Sequence, residues 1–184
     1  MSLAVGRVTG QAQRRGYDVR PAAAADLPLL AEIEGAADQL FTSVFGDLDW
    51  DPPTDGEARA AEPGYLLVAG EPAVGFAHVV FLDEAAHLQQ LAVHPAAMGQ
   101  GIGTALLEAA CESARESGRD ALSLSTFADV PWNAPFYAAR GFSQVTDPAP
   151  YQRRLREHEQ ALGLDRHGPR VVMSRSLGAL APAP

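Results

Sequence analysis

At 184 residues, with 47% apolar and 20% charged residues, the chain is long enough to bury the core of one domain. A net charge of −9 disfavours general nucleic-acid binding, which needs a basic surface. The longest apolar stretches, 65–69 and 73–82, fall far short of the ~20 residues that a membrane span requires. The single cysteine, Cys111, cannot form an internal disulfide, which is typical of a reducing compartment. We therefore expect a cytoplasmic protein with no membrane or nucleic-acid partner.

The N-terminal part alternates loose and regular segments. Residues 1–16 show no apolar period and are expected to form a loose arm. A short strand over 17–22 precedes a helix over about 27–40, for which Asp26 is the expected N-cap. Acidic residues and prolines mark 41–64 as an irregular connection with one short helix.

Strands dominate the middle of the chain. Two of them, 64–70 and 73–83, are joined by "GEP", a tight-turn signal that predicts an antiparallel hairpin. The next strand covers 87–95 and ends at Pro95, which lacks the N–H that a ladder needs.

A helix from residue 102 to Gly118 and a strand over 121–127 follow. Together with the preceding strand they form one βαβ crossover, so the two strands are expected to be parallel. The remaining predicted elements are a short helix within 132–142, strands over 142–145 and 170–177, and a charged helix over 151–165.

Three glycines, Gly99, Gly101 and Gly103, stand at the start of the long helix. The first N–H groups of a helix have no partner within it and the helix dipole is positive there, so the position suits an anion such as a phosphate. Glycine lets the backbone approach the anion closely. A Walker loop requires a lysine after its last glycine, and no lysine follows Gly103. The third glycine also comes one residue too early for a dinucleotide-binding fingerprint. A glycine turn that only packs is the remaining alternative.

Two segments carry a family resemblance. "LAVHPAAMGQGIGTALL", followed about thirty residues later by "NAPFYAARGF", resembles the GNAT superfamily of acetyl-CoA-dependent N-acetyltransferases. The resemblance covers about 17–177, with its motifs in 88–142. It implies a single α/β domain over 17–177 and a tail over 178–184. The implied fold is a mixed, mostly antiparallel central sheet with flanking helices, splayed at the cofactor site.

The resemblance also implies which residues bind acetyl-CoA. Amides of the glycine loop would hold the diphosphate, and amides of the preceding strand would lie beside the thioester. The implied contacts are Leu91, Ala92, Val93, Met98, Gly99, Gln100, Gly101, Ile102, Gly103, Thr104, Asn133, Phe136 and Tyr137. Met98 departs from the Arg or Gln that the family usually has there. The family's usual Asn falls nearer to Val130, which puts the role of Asn133 in doubt.

By the same resemblance Tyr137 is the general acid that protonates the leaving thiolate. An acceptor amine of the lysine type has a pKa of ~10.4 and must lose a proton before it attacks. Many relatives carry Glu for this on the strand before the loop, where this chain has Gln89 and Gln90. His87, His78 and Glu34 are the candidates left, and His87 is named as the base.

Other kinds of site find less support. The five histidines include no i, i+4 pair, so no metal site is predicted. Cys111 is placed on the helix face away from Ile102 and Leu106 and is expected to be inert. The predicted function is transfer of acetyl from acetyl-CoA to a primary amine of a small molecule or peptide. A catalytically weak CoA-binding regulatory module and an NAD(P)-dependent oxidoreductase remain as alternatives. Edge strands of the family often pair between subunits, which implies a homodimer.

Overall fold

The computed structural model describes residues 17–83 and 85–178. The arm expected over 1–16 lies outside the described residues, as does the expected tail over 178–184 apart from Gly178.

A seven-stranded sheet forms the centre of the part of the chain that the structure describes. Its strands are β1 (Val19–Pro21), β2 (Gly64–Ala69), β3 (Gly75–Leu82), β4 (Ala85–Val93), β5 (Ala121–Phe127), β6 (Ser143–Gln144) and β7 (Arg170–Ser176). They lie in the order β1-β2-β3-β4-β5-β7-β6. All neighbours are antiparallel except β4 and β5. This confirms the mixed, mostly antiparallel sheet, the β2–β3 hairpin and the parallel crossover.

Helices cover both faces of the sheet. They are α1 (Leu27–Asp38), α2 (Thr42–Phe45), α3 (Gly56–Ala61), α4 (Ile102–Glu116), α5 (Ala134–Ala138) and α6 (Pro150–Ala161). Short 3₁₀ turns occupy Gln39–Phe41, Pro95–Ala97 and Leu164–Arg166. The connection 41–64 thus holds two short helices rather than the one expected. In the described ranges no helix is long and apolar enough to cross a membrane.

The larger core lies between α4 and the sheet, and the smaller one beneath α1. Cys111 belongs to the α4 core with Ile102 and Leu106, so its expected placement on another face is wrong. The buried stripe of α4 is wide: Leu107, one turn before Cys111, is buried as well. Burial raises the pKa of the Cys111 thiol to about 11, which keeps it protonated at neutral pH, as an inert cysteine would be.

Asp26 precedes α1 but does not cap it with its side chain. Its carboxylate instead accepts hydrogen bonds from the Arg20 guanidinium at 2.6 and 2.9 Å and from the Ala23 N–H at 2.8 Å. The hydrogen bonds from Arg20 and Ala23 lower the pKa of Asp26. Asp26 therefore ties β1 to the start of α1, because a nearby cation competes better for a carboxylate than helix amides do.

The sheet opens between its two parallel strands. The register of β4 with β5 covers only Ala86–Leu88 opposite Leu122–Leu124, although the strands continue to Val93 and Phe127. An irregularity in the pairing of β3 with β4 at His78/Val79 lies beside the point where the pairing ends. An irregularity of this kind is an extra residue in one strand, which bends that strand and increases its twist. The carboxyl-terminal halves of β4 and β5 therefore diverge and leave a gap, as the resemblance implied.

Candidate active site

The start of α4 presents unpaired amides. Gly101 is its N-cap, in a left-handed conformation at φ +82°, and makes no side-chain cap. Gly99 has φ +76°, and a Cβ at either glycine would meet nothing within 4 Å, so open space faces the loop. The N–H groups of Ile102, Gly103 and Thr104 have no partner within the helix. The backbone therefore forms a cradle with a positive potential, which fits an anionic group such as a diphosphate.

Three elements meet at this cradle. A Cβ built on Gly103 would lie 3.6 Å from Cζ of Phe136 and 3.8 Å from Cγ2 of Val93. Phe136 lies on α5 and Val93 ends β4. The end of the β4–β5 gap, the first turn of α4 and α5 thus share one site.

Arg140, just after α5, brings a cation to the first turn of α4. Its Nε donates to Oγ1 of Thr104 at 2.9 Å and its Nη1 to the carbonyl of Phe136 at 2.7 Å. The guanidinium also stacks on the Phe136 ring at 3.7 Å. Met98, by contrast, is a neutral side chain with 44% of its surface exposed. Sequence reasoning missed Arg140, because only the fold brings it beside a helix that begins 38 residues earlier.

The amides that line the gap follow from the strand register. His94 N–H donates to Val74 at 2.8 Å, and Ala92 lies opposite Phe76 on the same neighbouring strand. Because N–H directions alternate along a strand, Ala92 points its N–H toward β3, while Leu91 and Val93 point theirs into the gap. In this register the Ala92 amide is therefore directed away from the gap, and the place of Ala92 in the cofactor site stays a prediction.

Tyr137 lies on the α4 side of the sheet and is 9% exposed. Its ring packs edge-on against Phe142 at 5.8 Å and against Phe136 at 5.2 Å. Burial raises the pKa of the phenol, which keeps it protonated. Asn133 precedes α5, and its carbonyl accepts a hydrogen bond from the Tyr137 N–H at 3.1 Å. Asn133 makes no side-chain cap.

His87 lies on the opposite face of the sheet and is 6% exposed. Its Nδ1 is 3.0 Å from Oγ of Ser123, whose hydroxyl is 3.1 Å from the Tyr151 hydroxyl. Burial lowers the pKa of His87 to about 4. Such an imidazole is neutral at pH 7, but its low basicity makes it a poor acceptor for a proton from an amine.

A buried network on the α1 face supplies a carboxylate near the gap. Oε1 of Glu34 accepts a hydrogen bond from Nε2 of Gln90 at 2.6 Å, and Oε2 pairs with the Arg59 guanidinium. Nη1 of Arg59 also lies 3.3 Å from Nδ1 of His78, and burial with the Arg59 charge lowers the pKa of His78 to about 4. Burial raises the pKa of Glu34, while Arg59 and Gln90 act in the opposite direction.

A family comparison agrees with this geometry. The sequence profile of the Acetyltransferase (GNAT) family matches residues 30–142. The chain belongs to the GNAT acetyltransferase family. The matched range includes the β4–β5 gap, the α4 cradle and α5, so the features described above lie in the GNAT domain itself.

Solved structures show the same fold. The ribosomal-protein-S18-alanine N-acetyltransferase from Escherichia coli has a TM-score of 0.65 at 19% identity over 91% of this chain and 97% of its own. The N-acetylglutamate synthase from Neisseria gonorrhoeae, complexed with coenzyme A and N-acetyl-glutamate, has a TM-score of 0.64 at 21% identity over 88% of this chain and 35% of its own. The PaiA N-acetyltransferase from Thermoplasma acidophilum, complexed with coenzyme A, has a TM-score of 0.63 at 15% identity over 87% of this chain and 98% of its own. These GNAT neighbours confirm the predicted fold class.

Apart from Asn133, which directly precedes α5, the predicted site residues of this GNAT domain fall into two groups. One group surrounds the gap and the cradle: Leu91, Val93, Met98, Gly99, Gln100, Gly101, Ile102, Gly103, Thr104, Phe136 and Tyr137. The other group lies apart from it, with His87 and the Ala92 side chain on the α1 face. Folding of the chain also brings Arg140 and the Glu34–Gln90 contact close to this site.

Proposed function

We propose that residues 17–177 form an acetyltransferase domain that moves acetyl from acetyl-CoA directly to a primary amine of a small molecule or peptide. The observation that carries this proposal is the uncapped start of α4 beside a gap in the sheet. Membership in the GNAT family and two neighbours solved with coenzyme A support acetyl-CoA as the cosubstrate.

The cradle fits the diphosphate of coenzyme A. The amides of Ile102, Gly103 and Thr104 would donate to phosphate oxygens, with Gly99 and Gly101 leaving the approach open. Arg140 would add a positive charge beside the same oxygens, since its contacts with Thr104 and Phe136 hold the guanidinium at the first turn of α4. Arg140 would thereby supply the cation that Met98 does not.

The amide N–H groups of Leu91 and Val93 would stabilise the oxyanion as the amine nitrogen attacks the thioester carbonyl. The C–N bond forms, the C–S bond breaks and the sulfur leaves as a thiolate. Tyr137, kept protonated by burial, would donate its proton to that thiolate. A free phenol near pKa ~10 protonates a thiolate near ~8.5 against a small gradient. Burial raises the pKa of Tyr137 above that of a free phenol and makes this proton transfer less favourable.

Glu34 is the best proton acceptor for the incoming ammonium. Its carboxylate contacts Gln90 on β4 two residues after the last residue paired with β5, so it lies where the gap begins. Burial raises its pKa, which improves a carboxylate as a base. Its proton would pass through water, because Arg59 and Gln90 already occupy both carboxylate oxygens. His87, with its low pKa, instead holds Ser123 in the sheet.

The two alternatives fit less well. A regulatory module that only binds coenzyme A was suggested by the glutamines in place of a strand carboxylate, but Glu34 brings a carboxylate to Gln90 from α1. Family membership favours acetyl transfer over NAD(P) chemistry. A cytoplasmic location and a homodimer stay predictions, the latter to be checked by light scattering on the purified chain.

Release of free coenzyme A thiol tests the function. The purified chain, mixed with acetyl-CoA, should release thiol faster when primary amines are added, and mass spectrometry should find the amine heavier by one acetyl group. Binding of acetyl-CoA without release of thiol across small amines, polyamines and peptides would favour the regulatory module instead.

A further inference from the structure

A cavity of about 120 Å³ opens beside the carboxyl-terminal end of β5. Its wall is largely apolar. The lining residues include Val44, Phe45, Phe127, Val130 and His167, together with the acidic residue Asp129. Val44 is 48% exposed and Phe127 only 3%, so the cavity runs from the surface to the sheet. It is separate from the α4 cradle.

Aromatic rings hold this wall in place. Phe127 contacts Phe45 at 4.9 Å, Phe41 at 5.9 Å and Trp50 at 6.3 Å between ring centroids. Such ring clusters are rigid and form preorganised walls for ligands.

The cavity lies on the face from which an acceptor can reach the gap. Side chains alternate along a strand: Leu122 and Leu124 pack on the α4 core, whereas Ser125 donates to Glu159 of α6 at 2.8 Å. Phe127 therefore points to the side opposite α4. It also lies three residues beyond the last β5 residue paired with β4, at the open end of the gap. The cofactor cradle and the cavity thus approach the gap from opposite faces.

We propose that this cavity binds a compact apolar group of the acceptor amine, which assigns the substrate class as small monoamines with one branched alkyl or phenyl group. The inference rests on the proposed acetyl transfer. A dry apolar cavity of about 150 Å³ takes up benzene, so the volume found here suits four to six carbon atoms. The exposed carboxylate of Asp129 faces the rim and complements the ammonium group of such an amine.

The same wall disfavours other amines. Asp129 at the rim can pair with one ammonium group, so the second ammonium group of a polyamine would have to leave water for the largely apolar part of the wall. A carboxylate on the acceptor would meet the charge of Asp129 and a chain of net charge −9. Selectivity should therefore follow apolar size rather than charge.

An acceptor panel tests this. Thiol release from acetyl-CoA is measured with isoamylamine, benzylamine, ethanolamine, putrescine and glutamate. The kcat/KM for isoamylamine and benzylamine should exceed that for ethanolamine by at least about tenfold, since a single methylene in an apolar pocket already changes kcat/KM by about 10- to 200-fold. Equal or higher values for ethanolamine, putrescine or glutamate would overturn the inference and leave acetyl transfer standing. Thiol release with none of these amines would overturn the inference, and failure with peptide amines as well would overturn acetyl transfer.

A substitution at the rim of the cavity tests whether the cavity causes the selectivity among acceptor amines. Val44→Trp fills the cavity from a half-exposed position without removing a core side chain. It should lower the kcat/KM ratio of benzylamine to ethanolamine at least tenfold. Leu162→Trp, at a 46% exposed site after α6, is the matched control and should keep the wild-type ratio. An unchanged ratio in Val44→Trp would overturn the assignment of the cavity to the acceptor.

Discussion

The side-chain amide of Gln90 donates a 2.6 Å hydrogen bond to the carboxylate of Glu34, which joins β4 to α1 beside the gap in the sheet. The family resemblance implies a glutamate on this strand, and here a neutral glutamine stands in its place. The carboxylate is still present, because α1 supplies it from 56 residues earlier in the chain. Arg59 pairs with its other oxygen and fixes its orientation.

Glu34→Gln should therefore lower kcat at neutral pH by about 100-fold, the range in which general bases contribute. The rate should recover as the pH approaches the pKa of the free amine, because the amine then loses its proton without help. Gln90→Ala keeps the carboxylate and should cost less than tenfold. The measurement is a pH–rate profile of thiol release, with thermal melting to show that each variant is folded. A Glu34→Gln profile parallel to the wild type would exclude this role.

Arg140→Gln should raise the KM for acetyl-CoA about tenfold, since a charged hydrogen bond worth about 1.4 kcal/mol corresponds to that factor. The kcat at saturation should change little, because Arg140 contacts Thr104 and Phe136 and not the reacting atoms. Arg153→Gln, an exposed arginine of α6, is the control and should leave KM unchanged. Steady-state kinetics at several salt concentrations check this, and an unaltered KM in Arg140→Gln would remove Arg140 from the cofactor site.

Tyr137→Phe should lower kcat by about tenfold to 100-fold and leave the affinity for acetyl-CoA within twofold, because only the proton donor is lost. Tyr65→Phe is the matched control. The Tyr65 hydroxyl donates to the Ala110 carbonyl at 2.6 Å, so its loss should cost about 1 kcal/mol of stability and no activity. Stopped assays measure the kcat of each variant, and calorimetric melting measures its stability. Equal kcat values in the two variants would make Tyr137 a packing residue.

Asp38, at the end of α1, should make stability depend on pH. Burial, together with the nearby charge of Glu34, raises its pKa from 3.8 to about 6. The folded state then holds the proton more tightly than the unfolded state, so the stabilisation is complete below about pH 4 and is lost as the pH rises through 6. Asp38→Asn should match the wild type at pH 4 and exceed it by about 1 kcal/mol at pH 8, after allowance for solvent screening.

Urea unfolding at the two pH values measures this difference. Glu32→Gln, on the exposed side of the same helix, controls for the loss of a carboxylate from α1. A gain for Asp38→Asn at pH 4, or none at pH 8, would contradict a raised pKa of Asp38 in the folded state.

The parts of the site that depend on local sequence could be predicted. The glycine spacing before a 3.6-residue period located the start of α4, and the turn and alternation signals gave the β2–β3 hairpin and the parallel crossover. These features depend on residues that are neighbours in the chain, where backbone conformation and helix-end chemistry decide the structure.

The parts of the site that depend on contacts between residues distant in the chain could not be predicted. Arg140 reaches Thr104, and Glu34 meets Gln90, only once the sheet has formed. The direction of the Ala92 amide follows from the register of β4 with β3, which a pairing irregularity shifts. Long-range packing also decided that Asp26 binds Arg20 instead of capping α1.

The amides at the start of α4 are proposed to bind the diphosphate of coenzyme A. Gly101→Glu would place a carboxylate in the open cradle, whereas Gly118→Glu puts the same residue at φ +76° near the other end of α4, about 25 Å away at 1.5 Å per residue. Both positions have a left-handed backbone, so both variants carry a similar strain of about 1–2 kcal/mol.

Isothermal titration with coenzyme A is the direct measurement. The wild type and Gly118→Glu should bind with the same Kd within threefold, and Gly101→Glu should release no heat of binding. No heat with the wild type, or wild-type affinity in a folded Gly101→Glu, would contradict the account.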